Sequence, residues 1–166
     1  MEKEPKPKGE PKLEIERKFL IQTKPSNLDQ YPHQNIRQGY LEISENGTEV
    51  RVRQKGNQYF KTKKSGRGEV REEEEIEISQ EDFNELWPET EGKRIEKVRY
   101  SIPHGELTIE LDIYQGQLGG LITAEVEFNS QEECDQFAPP EWFGQDVTSN
   151  LGYKNQSLAI KGLPEE

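Results

Sequence analysis

The sequence predicts a mainly β protein of the α+β class, a closed eight-stranded antiparallel β-barrel with a few short helices outside it. Apolar and charged residues alternate along most of the chain, which is typical of strands with two distinct faces. Turn-forming stretches separate these segments, so consecutive strands can pair as hairpins. The charged positions recur on strand after strand, and closure of the sheet would gather them in one interior.

Eight segments carry this two-residue period. They are 13–21, 35–43, 48–55, 58–64, 69–78, 94–102, 106–114 and 121–129. The stretches ENGT, KGNQ, KSGRG, PHGE and GQLGG between them are rich in residues that favour turns. Residues 1–12 contain Lys, Glu, Pro and Gly but no apolar residue after Met1, so we expect a flexible tail followed by a single domain, 13–166.

Three short helices are predicted outside the strands. SQEDFNELW and SQEECDQF each begin with a serine that can cap the helix, followed by acidic residues. The third, NQSLAIKG, ends at Gly162. Trp87 and Trp142 follow helix-like segments, so we expect both rings to pack on the exterior of the barrel.

The composition limits the classes of partner. A formal net charge of -11 argues against duplex nucleic acid and acidic membranes, because both attract an excess of Lys and Arg. No apolar run of about 18 residues and no signal-peptide core is present, so a cytoplasmic protein is expected. Cys134 is the only cysteine and lies in a polar run, so we expect a structural role for it.

The charged positions form pairs at a spacing of two residues. The basic pairs are Arg51 with Arg53, Lys61 with Lys63, and Lys97 with Arg99; the acidic pairs are Glu14 with Glu16, Glu73 with Glu75, Glu110 with Asp112, and Glu125 with Glu127. Lys18 continues the phase of the first acidic pair. In a closed barrel these side chains would share the lumen, where charges have to be compensated.

Two explanations compete for this pattern. The charges could form cross-strand ion pairs on a solvated sheet, or the acidic run EVREEEEIE could be a solubilising edge, as in a β-domain for protein interaction. Alternatively, clustered carboxylates bind Mg²⁺ or Mn²⁺, and clustered Arg and Lys bind phosphate oxygens. No GxxxxGK[ST] loop occurs, so side chains would have to hold the phosphates.

The stretch EIERK, residues 14–18, resembles the Glu-x-Glu-x-Lys signature of the CYTH superfamily, also called triphosphate tunnel metalloenzymes. The succession RVR, KTK, EEE, KVR, ELD and EVE is similar to the family pattern from Leu13 to about Phe128. EIERKFLI, IRQGYL and GYKNQSLA resemble the short single-domain bacterial inorganic triphosphatases. The resemblance implies an eight-stranded antiparallel tunnel with helices outside, which binds a triphosphate and a divalent metal.

The resemblance also implies roles for individual residues. The metal ligands would be Glu14, Glu16, Glu125 and Glu127; the phosphate-binding residues would be Lys18, Arg51, Arg53, Lys61, Lys63, Lys97 and Arg99. The catalytic residues would be Glu73, Glu75, Asp112 and Lys97, of which the three acids would place a second metal or the attacking water. Glu110 belongs to this cluster or balances a lumen cation. For Tyr40 we expect packing rather than phosphate binding, Lys154 is a tunnel-mouth residue or an ordinary solvated lysine, and His33 and His104 are expected to lie in turns.

The expected reaction is metal-dependent attack of water on a terminal phosphoryl group of inorganic triphosphate, which gives pyrophosphate and phosphate. No aromatic residue that could bind a base lies on the charged positions, which favours tripolyphosphate over larger triphosphates. The alternatives are a class IV adenylate cyclase, a nucleoside or thiamine triphosphatase, and a non-catalytic polyphosphate-binding module. A small-molecule triphosphate is the expected partner, and the sequence does not decide between Mg²⁺ and Mn²⁺.

Overall fold

The computed structural model describes residues 12–66 and 70–164. Its strands are β1 (Lys12–Leu20), β2 (His33–Ile43), β3 (Glu49–Lys55), β4 (Gln58–Ser65), β5 (Val70–Ile78), β6 (Arg94–His104), β7 (Leu107–Tyr114) and β8 (Ile122–Phe128). Lys12 belongs to β1, whereas the rest of the predicted tail lies outside the described residues. The described part of the chain contains no helix long and apolar enough to cross a membrane.

All eight strands close into one antiparallel barrel in the order β1-β5-β4-β3-β2-β6-β7-β8, which confirms the predicted fold class. Hairpins join β2 to β5 in succession and β6 to β8, as the turn-rich stretches predict. The connections from β1 to β2 and from β5 to β6 instead cross to other positions in the barrel, so consecutive pairing fails there.

The three helices are short: α1 (Gln80–Leu86), α2 (Gln131–Gln136) and α3 (Asn155–Lys161). α1 and α2 pack on the outside of the barrel, as predicted, whereas Leu158 of α3 packs against the inward-facing Tyr40 and Tyr114. The side chains of Ser79 and Ser130 accept hydrogen bonds from the first turns of α1 and α2, as the sequence predicts for N-caps. Gly162 follows α3 with a φ of 79°, a left-handed conformation that glycine adopts without strain.

The main hydrophobic core lies on the outer face of the barrel wall. Leu111, Ala124 and Val126 on β7 and β8 are fully buried there, and Phe128 is nearly so. Trp142 is among the half-buried residues that cover this face, while Trp87 stacks on Phe83 of α1. Cys134 of α2 is also buried in this outer core. A second, smaller cluster fills one part of the interior beside α3, and the charged strand positions occupy the rest; its buried members are Tyr40, Ile95, Tyr114, Leu118, Leu121 and Leu158.

The wall between β1 and β5 is only partly paired. β5 pairs with β1 from Lys12 to Ile15, and beyond that point the edge of β1 is covered by the segment 144–148, which we call the seam segment. The backbone groups of Lys18 and Leu20 hydrogen-bond to this segment over 2.7–2.8 Å. This segment therefore continues the barrel wall where β5 has ended.

A candidate active site in the barrel lumen

Strand register decides which side chains face the lumen, because directly paired residues in a sheet share a face. Arg51 of β3 pairs with Tyr40 on one side and with Thr62 on the other, and Thr62 in turn pairs with Glu75. On the opposite side of the barrel, Lys18 pairs with Glu125. All these residues point into the barrel, and the charged pairs of β1, β3, β5, β6, β7 and β8 lie at positions of the same phase.

Strand β4 has the other phase, so the prediction that Lys61 and Lys63 face the lumen is wrong. Lys61 pairs with Val52 and Lys63 with Val50, and both lysines are exposed. The physical reason is the two-residue turn formed by Gly56 and Asn57. This turn pairs Lys55 with Gln58 and so fixes the register of β3 against β4. A turn of this kind in KGNQ was the signal that could have set the phase.

Lys64, rather than its neighbour Lys63, occupies an inward position on β4. Its ammonium lies 3.0 Å from Glu14 Oε1, and both side chains are buried. Arg71 and Glu49 also face inward and were missed; their contact is 3.4 Å. Arg71 lies two residues before Glu73, and Glu49 lies two residues before Arg51, so each shares the phase of a residue predicted to face the lumen. The two-residue period, continued by one step on β3 and β5, would have predicted both.

Two adjoining cavities make up the lumen. The first, of about 190 Å³, is the acidic cavity; it is lined by Glu14, Glu16, Arg51, Arg53, Lys55, Lys64, Glu73, Glu75, Arg99, Glu110, Glu125, Glu127 and Asn155. The second, the basic cavity, is lined by Glu16, Lys18, Tyr40, Glu49, Arg51, Lys64, Arg71, Glu125, Val147, Thr148, Asn150, Tyr153, Lys154 and Asn155. They have Glu16, Arg51, Lys64, Glu125 and Asn155 in common, so they are continuous.

The two cavities differ in charge. Five cations and three carboxylates line the basic cavity, whereas five cations and seven carboxylates line the acidic cavity. The basic cavity therefore favours the binding of an anionic chain, and the acidic cavity favours the binding of a cation. The four predicted metal ligands, Glu14, Glu16, Glu125 and Glu127, all line the acidic cavity.

Arg99 is the most extensively paired cation of the lumen. Its Nε and Nη2 donate to the two carboxylate oxygens of Asp112 at 2.7 and 2.8 Å. Nη2 also donates to Glu125 at 2.9 Å, and Nη1 lies 3.2 Å from Glu110. The fork of Asp112 fixes the plane of the guanidinium, whose other edge faces the carboxylates of the acidic cavity.

Lys97 and Asp112 form a fully buried ion pair with an Nζ to Oδ2 distance of 2.8 Å. Burial lowers the pKa of Lys97 to about 8 despite this partner. Burial works to raise the pKa of Asp112, but Arg99 and Lys97 together hold it well below its ordinary value. Neither residue lines the two cavities, so the structure does not bring them to the cavity wall with the other predicted site residues.

Glu73 and Glu75 lie on the wall of the acidic cavity. Thr62 donates a hydrogen bond of 2.7 Å to Glu75 Oε1, and Arg53 Nη2 lies 3.7 Å from the same oxygen. Burial, followed by the neighbouring charges of Arg51 and Arg99, lowers the pKa of Arg53 to about 10. Arg53 is thus a crowded cation that a further anion would stabilise.

A divalent cation fits the chemistry of the acidic cavity. Burial and then the charge of Glu125 raise the pKa of Glu16 to about 8, so a cation bound nearby would stabilise the ionised carboxylate. The donor set consists of carboxylate oxygens, which hard cations prefer. Among the described residues no three such side chains are already grouped as a metal site; Glu14 is held by Lys64 and Glu125 by Arg99.

The remaining candidates are placed as follows. Tyr40 is fully buried and its hydroxyl accepts a hydrogen bond from Gln38 at 2.8 Å, although its ring also borders the basic cavity. Lys154 lines the basic cavity. His33 and His104 are exposed and lie at strand ends, at the start of β2 and the end of β6, rather than in turns.

The fold and the site together define a class of proteins, those in which a closed antiparallel barrel encloses a charged lumen. A comparison with family models supports this class. The CYTH domain model matches residues 12–163. The chain therefore belongs to the CYTH family.

Named relatives agree with this assignment. An inorganic triphosphatase of Nitrosomonas europaea is 48% identical over 150 residues, which cover 89% of this chain and 97% of the relative. An inorganic triphosphatase of Acetivibrio thermocellus is 34% identical, with coverage of 87% and 92%.

Solved structures share the barrel. A crystal structure of an inorganic triphosphatase has a TM-score of 0.67 at 43% identity, covering 91% of this chain and 97% of its own. A putative adenylyl cyclase from Hippeastrum, described with a dominant triphosphatase activity, has a TM-score of 0.56 at 18% identity, with coverage of 74% and 82%. The latter likeness shows the fold alone.

Proposed function

We propose that the protein is an inorganic triphosphatase, which hydrolyses tripolyphosphate to pyrophosphate and phosphate in the barrel lumen with the aid of Mg²⁺ or Mn²⁺. One observation carries the proposal: Arg51 and Arg53 line the acidic cavity, and the buried Nε of each has no hydrogen-bond partner among the described residues. Unmade bonds of buried donors are costly, so the cavity favours a ligand rich in acceptors. Two relatives named as inorganic triphosphatases support the same substrate.

Cations on several strands can bind one phosphate chain from different sides. Lys18 on β1, Arg51 on β3 and Lys64 on β4 border the basic cavity, and Arg53 and Arg99 border the acidic one. Arginine presents a planar fork that matches phosphate oxygens. These residues would orient the chain along the lumen and stabilise the charge that develops on the transferred phosphoryl group.

Glu14, Glu16, Glu125 and Glu127 would hold the divalent cation, since all four border the acidic cavity and carboxylate oxygens suit Mg²⁺ and Mn²⁺. A bound divalent cation supplies charge neutralisation for phosphate oxygens and polarises the bond that breaks. The release of Glu125 from Arg99 would free an edge of that guanidinium for phosphate.

Glu75 would orient the attacking water. Its Oε1 is held by Thr62, and the side chain remains about one third exposed at the acidic cavity. Glu73 borders the same cavity and is the second candidate. Lys97 and Asp112 form a buried pair that does not border the cavities. We propose that this pair acts by holding the guanidinium of Arg99, which donates to Asp112, in position for phosphate.

The test is phosphate release from tripolyphosphate, ATP, thiamine triphosphate and pyrophosphate, with Mg²⁺ or Mn²⁺ and with a chelator. We expect release from tripolyphosphate only when the metal is present. Cyclic AMP formation from ATP without release from tripolyphosphate would favour a cyclase. Binding of tripolyphosphate without turnover under every metal condition would favour a polyphosphate-binding module.

Chain length should matter strongly. Pyrophosphate would leave some of the lumen cations without an acceptor, so we expect its kcat/KM to be at least about a hundredfold lower than that of tripolyphosphate. ATP should also be slower, because a nucleoside adds bulk at the tunnel mouth. Steady-state kinetics at saturating metal check this, and equal kcat/KM values for the two inorganic substrates would contradict it.

Ligands should also stabilise the fold, because they bind only when the lumen is formed. We expect the Tm to rise from chelator to Mg²⁺ and to rise further with Mg²⁺ and pyrophosphate or a slowly hydrolysed triphosphate analogue. Differential scanning fluorimetry measures this. A Tm that is the same in all these conditions would count against a metal and phosphate site.

A further inference from the structure

The stretch from Glu14 to Lys18 contains one charged residue that the proposed chemistry does not use. Arg17 faces outward, and its Nε and Nη2 donate to Asp146 Oδ2 at 3.1 and 3.0 Å. Its Nη1 donates to the carbonyl oxygen of Cys134 at 3.4 Å. The guanidinium also lies 5.0 Å from the ring centroid of Phe19. Arg17 thus joins β1 to α2 and to the seam segment.

The seam segment is bound to the one edge of β1 that β5 leaves uncovered. Leu20 N donates to Gln145 O at 2.8 Å, and Gly144 N donates to Leu20 O at 2.7 Å. Val147 N donates to Lys18 O at 2.8 Å. A side chain at Gly144 would place its Cβ 2.7 Å from Leu20 O, so only glycine allows this approach. The segment therefore docks as a short additional strand.

Asp146 connects the outer contact with the lumen side of the segment. While Oδ2 accepts from Arg17, Oδ1 accepts from both the backbone N–H and the hydroxyl of Thr148, at 2.8 and 2.5 Å. The Thr148 hydroxyl oxygen in turn accepts from Lys18 N at 2.9 Å. One carboxylate thereby links the outward arginine to the backbone of the lumen lysine that follows it.

The docked segment forms part of the basic cavity. Val147 and Thr148 border this cavity together with Lys18. The ammonium of Lys18 donates to Tyr153 O at 2.7 Å, a few residues further along the same stretch. If the segment moved away from β1, Lys18 would lose both its backbone partners, Val147 and Thr148. The stretch that leads to Tyr153, the acceptor for its ammonium, would lose its attachment to β1.

We propose that Arg17 is a positioning residue: by binding Asp146 on the outside of the barrel, it keeps the seam segment docked on β1 and so holds Lys18 and the basic cavity in the arrangement that binds a phosphate chain. This inference rests on the proposed function for its kinetic consequence. The docking itself rests on the hydrogen bonds between Arg17, Asp146, Thr148 and the backbone of β1.

The test compares Arg17→Gln and Asp146→Asn with Arg37→Gln in the full chain. Arg37 is a matched control, because it is also an outward-facing strand arginine over aromatic rings, 4.8 Å from the ring centroid of Trp87, but it does not contact the seam segment. Amide hydrogen exchange of Lys18, Leu20 and Val147 reports docking directly. Steady-state kinetics with tripolyphosphate and Mg²⁺ report its effect on the site.

We expect faster exchange at these three amides in both seam variants but not in Arg37→Gln. The KM for tripolyphosphate should rise about three- to tenfold, with a smaller change in kcat, because one charge-assisted contact at a partly exposed position is lost. Arg17→Lys should show smaller changes in exchange and in KM than Arg17→Gln, because a lysine can still pair with Asp146. The double variant should resemble either single one, because both remove the same contact.

Unchanged exchange at the three amides in Arg17→Gln would overturn the docking role. Faster exchange with an unaltered KM, or the same rise in KM in Arg37→Gln, would overturn the positioning role. Absence of phosphate release by the wild-type protein would overturn the proposed function alone, since the exchange experiment still decides whether Arg17 docks the segment.

Discussion

Glu16→Gln is expected to lower kcat for tripolyphosphate by at least about a hundredfold while the barrel stays folded. Glu16 borders both cavities, and the substitution removes one proposed metal-ligand charge with little change in volume. Burial and the nearby Glu125 disfavour the charged form of Glu16, so the neutral amide should not destabilise the metal-free protein. Kinetics over a range of Mg²⁺ concentrations measure the loss.

The control for this variant is Glu96→Gln, which changes an exposed, outward-facing glutamate of β6. Its activity and its Mg²⁺-dependent rise in Tm should match those of the wild type, whereas Glu16→Gln should lose most of that rise. A Glu16→Gln protein that retains full metal-dependent turnover would remove Glu16 from the proposed metal site.

Arg53→Met is expected to lower kcat/KM for tripolyphosphate by about a hundredfold or more, because a buried cationic donor to phosphate is lost. Its pKa is depressed by burial and by Arg51 and Arg99, so its removal relieves repulsion and the Tm should change little. The hydrogen bond from Thr62 to Glu75 does not involve Arg53, so we expect it to remain in this variant. The loss should therefore reflect binding and catalysis rather than unfolding.

Lys61→Met and Lys63→Met provide the comparison, because these lysines are exposed on the outer face. Both variants should keep kcat/KM within about twofold of the wild type, as is usual for surface substitutions. A large loss in Lys61→Met, together with a normal Arg53→Met, would show that the inward phase of β4 is the one the sequence analysis predicted.

The barrel and most of its lumen could be predicted because a period of two residues is a local signal. In β1, β7 and β8 the apolar phase is unambiguous, so Glu14, Asp112 and Glu125 were assigned to the correct face. In β4 both phases contain lysine, and the adjacent Tyr59 and Phe60 give no apolar phase. Only the pairing imposed by the two-residue turn decides between Lys61 and Lys64.

The contacts between distant strands could not be predicted from one sequence. Whether Asp112 faces a metal, a water molecule or a cation depends on the register of β6 against β7, and that register places Arg99 directly opposite. Arg17 and Asp146 are 129 positions apart, and no local pattern connects them. Such pairs follow from closure of the barrel, after which the seam segment lies beside the first strand.

The location of the main apolar core outside the barrel wall separates much of folding from recognition. Residues such as Leu111 and Val126 secure the wall from behind, while their neighbours along the same strands present charge to the interior. Substitutions on the inner positions can thus change which polyanion is accepted with little effect on the contacts that keep the sheet closed. Successive side chains of a strand point to opposite faces of the sheet. Evolution or design can therefore change the ligand selectivity of this barrel with little effect on its fold.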